Sequence, residues 1–220
     1  MRLHDHPLLV FDWDGTLMDS TAAIVRAIQA ACGDLDLPVP AQADAAYVIG
    51  LGLQDALRHV APSLPAADYP RLAAAYRKHY FAEDGELDLF PGVLELLQAL
   101  KSAGHALAVA TGKSRHGLER ALDHAALRGL FDATRTADET ASKPHPAMLE
   151  ALMQQLVYAP RQTLMIGDTI HDLQMARNAG CASLAVSYGA HDSAALAALR
   201  PLGVVDSVPA LRRFLLGEPA

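Results

Sequence analysis

The run Pro7–Phe11 (PLLVF) is wholly apolar and stops at two carboxylates, Asp12 and Asp14, which flank Trp13 and lead into Gly15-Thr16. Comparable runs recur at Ala106–Ala110 (ALAVA), Thr163–Ile166 (TLMI) and Ala182–Val186 (ASLAV). None of them alternates apolar with polar residues. Runs of this kind suit strands covered on both faces, as in a parallel sheet. Shorter strands are expected near Ala133 and at Val204–Val205. Helical spacing fills the intervals at Pro91–Ser102, Ser114–His124, Pro146–Val157 and Ile170–Asn178, and an Ala-rich surface helix is expected near SAALAALRPLG. Strand and helix in alternation predict an α/β fold: a Rossmann-like parallel sheet sandwiched by helices.

One interval breaks this rhythm. About ninety residues separate Phe11 from Ala106, far more than one crossover needs. Within them, Thr21–Ala31, Leu53–Val60 and Ala66–Phe81 carry helical spacing, punctuated by Pro38, Pro40, Gly50, Gly52, Pro62 and Pro65. The expected organisation is a core domain of residues 1–17 and 90–220 and an inserted small α-helical cap domain of residues 18–89. Hinges are expected near Met18–Ser20 and Phe90–Gly92.

Composition narrows the function classes. The chain of 220 residues is 51% apolar and 20% charged, with 18 Lys and Arg against 25 Asp and Glu, a net charge of −7. Such a balance is globular and argues against non-specific nucleic-acid binding, which needs basic surface to replace counterions. Cys32 and Cys181 lie far apart and read as small hydrophobes in a reducing compartment. The N-terminal stretch lacks a basic start followed by a long apolar run, and no stretch is long enough for a membrane helix. A cytoplasmic protein without membrane partners is the expectation, as monomer or homodimer.

The strand ends carry the chemistry. After Asp12 and Asp14, the strand at Ala106 ends in Thr111-Gly112-Lys113-Ser114. The strand at Thr163 ends in Gly167-Asp168-Thr169-Ile170-His171-Asp172. In open parallel sheets ligands sit beyond the carboxyl ends of strands. Four carboxylates brought to one edge repel each other, and Lys143 alone does not balance them. A divalent cation would offset most of the remainder. An all-oxygen ligand set favours Mg²⁺, which recruits phosphate oxygens.

The ordered set D-x-D-G-T, strand-end Thr, Lys and G-D-x-x-x-D resembles the haloacid dehalogenase superfamily over essentially the whole chain. FDWDGTLMDS and the placement of the insertion resemble its phosphoglycolate-phosphatase-like branch. The resemblance implies that Asp12 is the nucleophile and forms an aspartyl phosphate. It implies that Asp14 is the general acid and base, that Thr111 with Gly112 holds a phosphoryl oxygen, and that Lys143 holds nucleophile and phosphate by charge. Mg²⁺ would be bound by Asp12, the backbone carbonyl of Asp14, Asp168 and, directly or through water, Asp172. The substrate implied is a small phosphorylated metabolite such as phosphoglycolate or a sugar phosphate. An acid at position 14 favours ester hydrolysis over dehalogenation. It leaves open a phosphosugar mutase, and a non-catalytic phosphate-binding protein on the same fold is a third alternative.

Other residues read more plainly. Trp13 is expected in the core, His171 at a polar rim, and Lys113 and Arg115 as helix-start surface charges. Gly50-Leu51-Gly52 is expected as a turn between cap helices within reach of substrate. Arg58, Arg77, Lys78 and His79 are expected to be mostly solvated.

Overall fold

The computed structural model describes residues 6–83 and 87–218. Residues 1–5, 84–86 and 219–220, which the expected domain ranges include, lie outside the described residues. Six strands form one sheet: β1 (Leu8–Phe11), β2 (Ala106–Thr111), β3 (Ala133–Thr136), β4 (Thr163–Gly167), β5 (Ala182–Val186) and β6 (Val204–Val205). They are parallel throughout, in the order β3-β2-β1-β4-β5-β6. The chain direction across the sheet reverses between β1 and β4, the switch point where open α/β sheets leave a crevice for ligands.

The absence of alternation in β1 has a direct cause. Successive side chains point to opposite faces, and both faces are covered. Leu9 and Phe11 join Trp13, Leu97, Val109, Leu118 and Leu211 on one side. Leu8 and Val10 join Met148, Leu152, Met165 and Met175 on the other. The first face is closed by α5 (Val93–Ser102), α6 (Arg115–His124) and α10 (Val208–Leu216), and the second by α7 (Ala147–Leu156) and α8 (Ile170–Asn178). The Ala-rich run forms α9 (Ser193–Ala198), started by Asp192, whose side chain accepts from the amides of Ala194 and Ala195. Trp13 is fully buried, as its spacing predicts.

Between β1 and β2 stand α1 (Thr21–Asp34), α2 (Gln42–Tyr47), α3 (Leu53–Val60) and α4 (Tyr69–Glu83). Their apolar side chains form clusters separate from those of the sheet. Ile24, Ile28, Val48, Ile49 and Tyr80 make one cluster, and Ala31, Cys32, Leu57 and Leu72 another. The two connections to the sheet pair with each other. Asp19 N donates to Asp88 O at 3.0 Å, and Phe90 N to Leu17 O at 3.0 Å.

The structure departs from the sequence pattern at three places here. Helix α2 spans only six residues, too few to show a period. Helix α4 starts at Tyr69, because Ala66–Asp68 close a 3₁₀ turn after Pro65. Strand β2 includes Thr111. Cys32 is buried and Cys181 half-buried, both as free thiols, and burial pushes the Cys181 thiol up to about 12. Among the described residues no helix is long and apolar enough to cross a membrane.

Candidate active site

Register brings the strand ends together. Phe11 lies beside Val109 of β2 and Ile166 of β4, so Asp12, Thr111 and Asp168 all emerge at one edge. Helix α8 adds Asp172 from its first turn, and the loop before α7 adds Lys143. Asn178 of α8 anchors that loop, its side-chain amide donating to Pro144 O at 2.9 Å.

Asp12, Asp168 and Asp172 are fully buried, with carboxylate oxygens within 4.8 Å of one another. The Lys143 ammonium lies 2.7 Å from Asp12 Oδ1 and 2.6 Å from Asp172 Oδ1. The other Asp172 oxygen accepts from Thr169 N at 3.1 Å and Thr169 Oγ1 at 2.6 Å. Thr169 and Asp172 thus form a reciprocal N-terminal cap on α8. Asp168 is held as firmly: Thr16 Oγ1 donates to one oxygen at 2.9 Å and Ala190 N to the other at 2.7 Å. Gly15, at φ +79°, and Gly189 lie against this carboxylate, where any side chain would collide with it.

Charge in the cluster is unbalanced. Burial, with Asp172 and Asp168 nearby, holds the Asp12 carboxyl well above its ordinary value despite Lys143. Burial and then Asp172 push Asp168 up to about 7. Burial pushes Lys143 down, but the Asp12 and Asp172 carboxylates outweigh it and leave the ammonium strengthened. Asp12 Oδ2 has no hydrogen-bond partner among the described residues. A buried, unpartnered acid oxygen in an all-carboxylate cluster fits a hard cation, which would supply the missing positive charge.

The Asp14 side chain faces elsewhere. Ser20 Oγ donates to Asp14 Oδ1 at 2.6 Å, and Lys113 Nζ lies 3.0 Å from the same oxygen. Lys113 also donates to Tyr80 Oη of α4 at 2.7 Å. Lys113 is therefore not a surface charge: its side chain is 10% exposed and links the inserted helices to Asp14. Arg115 is half-buried and paired with Glu139 at 2.7 Å. Thr111 is buried at the end of β2, its Oγ1 accepting from Lys113 N at 3.2 Å.

The turn Gly50-Leu51-Gly52 docks on this edge. Gly52 N donates to Ser142 Oγ at 2.7 Å. Gly112 packs so closely that an added Cβ would fall on the carbonyl oxygens of Leu51 and Gly50. His171 is not at a rim either. It is 4% exposed, and its Nε2 and that of His191 donate to Tyr47 O at 2.7 and 3.1 Å. His191 Nδ1 accepts from Ile170 N, and burial first of all lowers both imidazoles. Thr16, Ser20 and Thr169 stand within the motifs without a role being read for them, Lys113 is read as a surface charge, and Tyr80 lies outside every motif. Only Thr169 leaves a local signal, as a capping residue three positions before an acid.

Residues 9–186 match the family described as haloacid dehalogenase-like hydrolase. A probable phosphatase named IndB, from Dickeya dadantii, is 40% identical over 209 residues, covering 91% of this chain and 90% of its own. A phosphoglycolate phosphatase from Agrobacterium fabrum is 31% identical, over 93% and 90% of the two chains. The crystal structure of a predicted phosphoglycolate phosphatase from Haemophilus somnus matches with a TM-score of 0.82 at 27% identity, covering 98% of this chain and 99% of that one. The fold, the ordered motifs and these likenesses agree: the chain is an enzyme of the haloacid dehalogenase-like hydrolase family.

Proposed function

We propose that the chain hydrolyses a small-molecule phosphomonoester through an aspartyl phosphate on Asp12. The observation that carries this reading is the buried Asp12, paired with Lys143 and with one oxygen unpartnered, beside Asp168 and Asp172. Asp12 attacks phosphorus and the ester oxygen leaves. Asp14 protonates that oxygen, then takes a proton from the water that cleaves the acyl phosphate, which releases phosphate and restores Asp12. Lys143 steadies the nucleophile and the incoming charge, and Thr111 donates to a phosphoryl oxygen. Asp12, Asp168, Asp172 and the Asp14 carbonyl would hold Mg²⁺. When bound it supplies charge screening between nucleophile and phosphate. Phosphoglycolate, for which the Agrobacterium relative is named, and sugar phosphates are the candidate esters.

Residues 18–89 act as a movable cap over this site. Asp12 is fully buried and Asp14 is 8% exposed, which supports entry of substrate on a swing of the cap about Met18–Ser20 and Phe90–Gly92. Gly112→Ala would wedge the Gly50–Leu51 carbonyls away from the sheet. A misplacement on this scale is expected to lower kcat/KM about tenfold or more, read in a steady-state assay against thermal melts that stay near wild type.

Phosphate release from p-nitrophenyl phosphate, assayed beside phosphosugar isomer conversion, tests the reaction. Hydrolysis should stop in EDTA and return with Mg²⁺. Asp14→Asn should lower it roughly 10²–10⁴-fold, the usual range for general acid–base catalysis. Full activity in chelator overturns the metal role, and faster isomer conversion than phosphate release overturns hydrolysis.

The raised carboxyls set a pH dependence. The Asp168 value moves from 3.8 to about 7, so folding favours its protonated form. That contribution is complete below the unfolded value and is lost as pH rises through about 7. Bound Mg²⁺ requires the ionised form. The rise in Tm on adding Mg²⁺ should therefore be larger at about pH 8 than at about pH 5; equal shifts in thermal melts would refute the assignment.

A further inference from the structure

A cavity of about 520 Å³ lies between the inserted helices and the carboxyl edge of the sheet. Asp14, Gly112 and Lys113 stand on its wall, which places it where the leaving group of the ester goes. Much of the remaining wall is apolar. Ile24 and Ile28 come from α1, Val48 and Leu51 from the segment after α2, and Tyr76 and Tyr80 from α4. The two tyrosine rings stack at 5.7 Å and 16°.

The charges on this wall are not arranged for an anion. Asp14, Asp55 and Asp138 share it with Arg77 and Lys113, and Asp55 and Asp138 are exposed. Lys113 is already paired with Asp14 and bonded to Tyr80, and Arg77 is exposed. A second anion on the substrate would be desolvated beside a wall whose half-buried cation is already held by Asp14 and Tyr80, which disfavours it. A two-carbon acid would also leave most of the volume to water.

We propose that the cavity receives an uncharged alcohol bearing an apolar ring, so that the substrate is the phosphomonoester of such an alcohol. The inference rests on the phosphatase reading above. Ring faces pack on Tyr76 and the isoleucines. Among the candidate esters this selects against phosphoglycolate, which brings a second anion and fills little of the cavity, and pyrophosphate is disfavoured for the same reasons.

The test compares benzyl phosphate and naphthylmethyl phosphate with 2-phosphoglycolate and pyrophosphate under Mg²⁺. The ring-bearing esters should be favoured by about tenfold or more in kcat/KM. Tyr76→Ala should lower kcat/KM for those esters about tenfold, chiefly through KM. Gln54→Arg, at an exposed wall position, should raise kcat/KM for 2-phosphoglycolate by up to about fivefold and not that for benzyl phosphate. Turnover of 2-phosphoglycolate or pyrophosphate equal to or faster than that of the ring-bearing esters overturns this inference and leaves the phosphatase reading standing. No phosphate from any ester, p-nitrophenyl phosphate included, overturns both.

Discussion

Asp12→Asn is expected to abolish phosphate release, by at least about 10⁴-fold in kcat, the scale on which removal of an essential nucleophile acts. The amide is nearly isosteric but a far weaker nucleophile. The same change should stabilise the metal-free fold. Burial and the neighbouring acids hold the Asp12 carboxyl well above its ordinary value, so its ionised form works against folding at neutral pH. Lys143 retains Asp172 as its partner. The expected gain is about 1 kcal/mol, or about 2–4 °C in Tm for a chain of this size. Single-turnover kinetics and thermal melts in chelator read the two effects separately. Residual activity within tenfold of wild type would remove Asp12 from the chemistry, and a lowered Tm would overturn the account of strain in the cluster.

Lys143→Met should act in the opposite direction on stability. The ammonium is wholly buried and bridges Asp12 and Asp172. Removing one partner of a buried ion pair leaves uncompensated charge and costs about 3–5 kcal/mol, which corresponds to roughly 6–20 °C in Tm for a chain of this size. The loss should shrink as pH falls, because the raised carboxyls of Asp12 and Asp168 then protonate and no longer need a counter-charge. Mg²⁺ should restore part of the Tm but not the rate, which should remain roughly 10²–10³-fold low for want of a positioned cation at the phosphoryl group. A Tm independent of pH would sink the electrostatic explanation.

The two variants together separate function from stability at one site. On the proposed reading Asp12 would serve the reaction while destabilising the metal-free fold, and Lys143 would serve both. Strain concentrated in groups that do chemistry is the usual cost of a preorganised charged site.

The core of the fold was legible because its cause is local. A strand covered on both faces must be apolar at every position, and Leu8–Phe11, Leu164–Ile166 and Leu184–Val186 show that without reference to any partner. The strand-end acids were legible for a related reason: Asp12 and Asp168 interrupt apolar runs, where a charge is costly unless something uses it. Helix α2 was not legible, because its stability comes from packing against α1 and not from periodicity.

Lys113 and His171 mark the limit. By local context each is a polar residue at a helix start, and solvation is the ordinary fate of such residues. Only the docking of the inserted helices brings Tyr80 over Lys113 and Tyr47 over His171. Those contacts join residues 33 and 124 positions apart. Sequence alone determined which strands form and which acids end them, since side-chain period and the cost of burying charge act within a few residues. The tertiary structure alone decided which cation meets which acid and what lines the cavity beside Asp14, since Coulomb energy and packing depend on distances in space that no local pattern encodes.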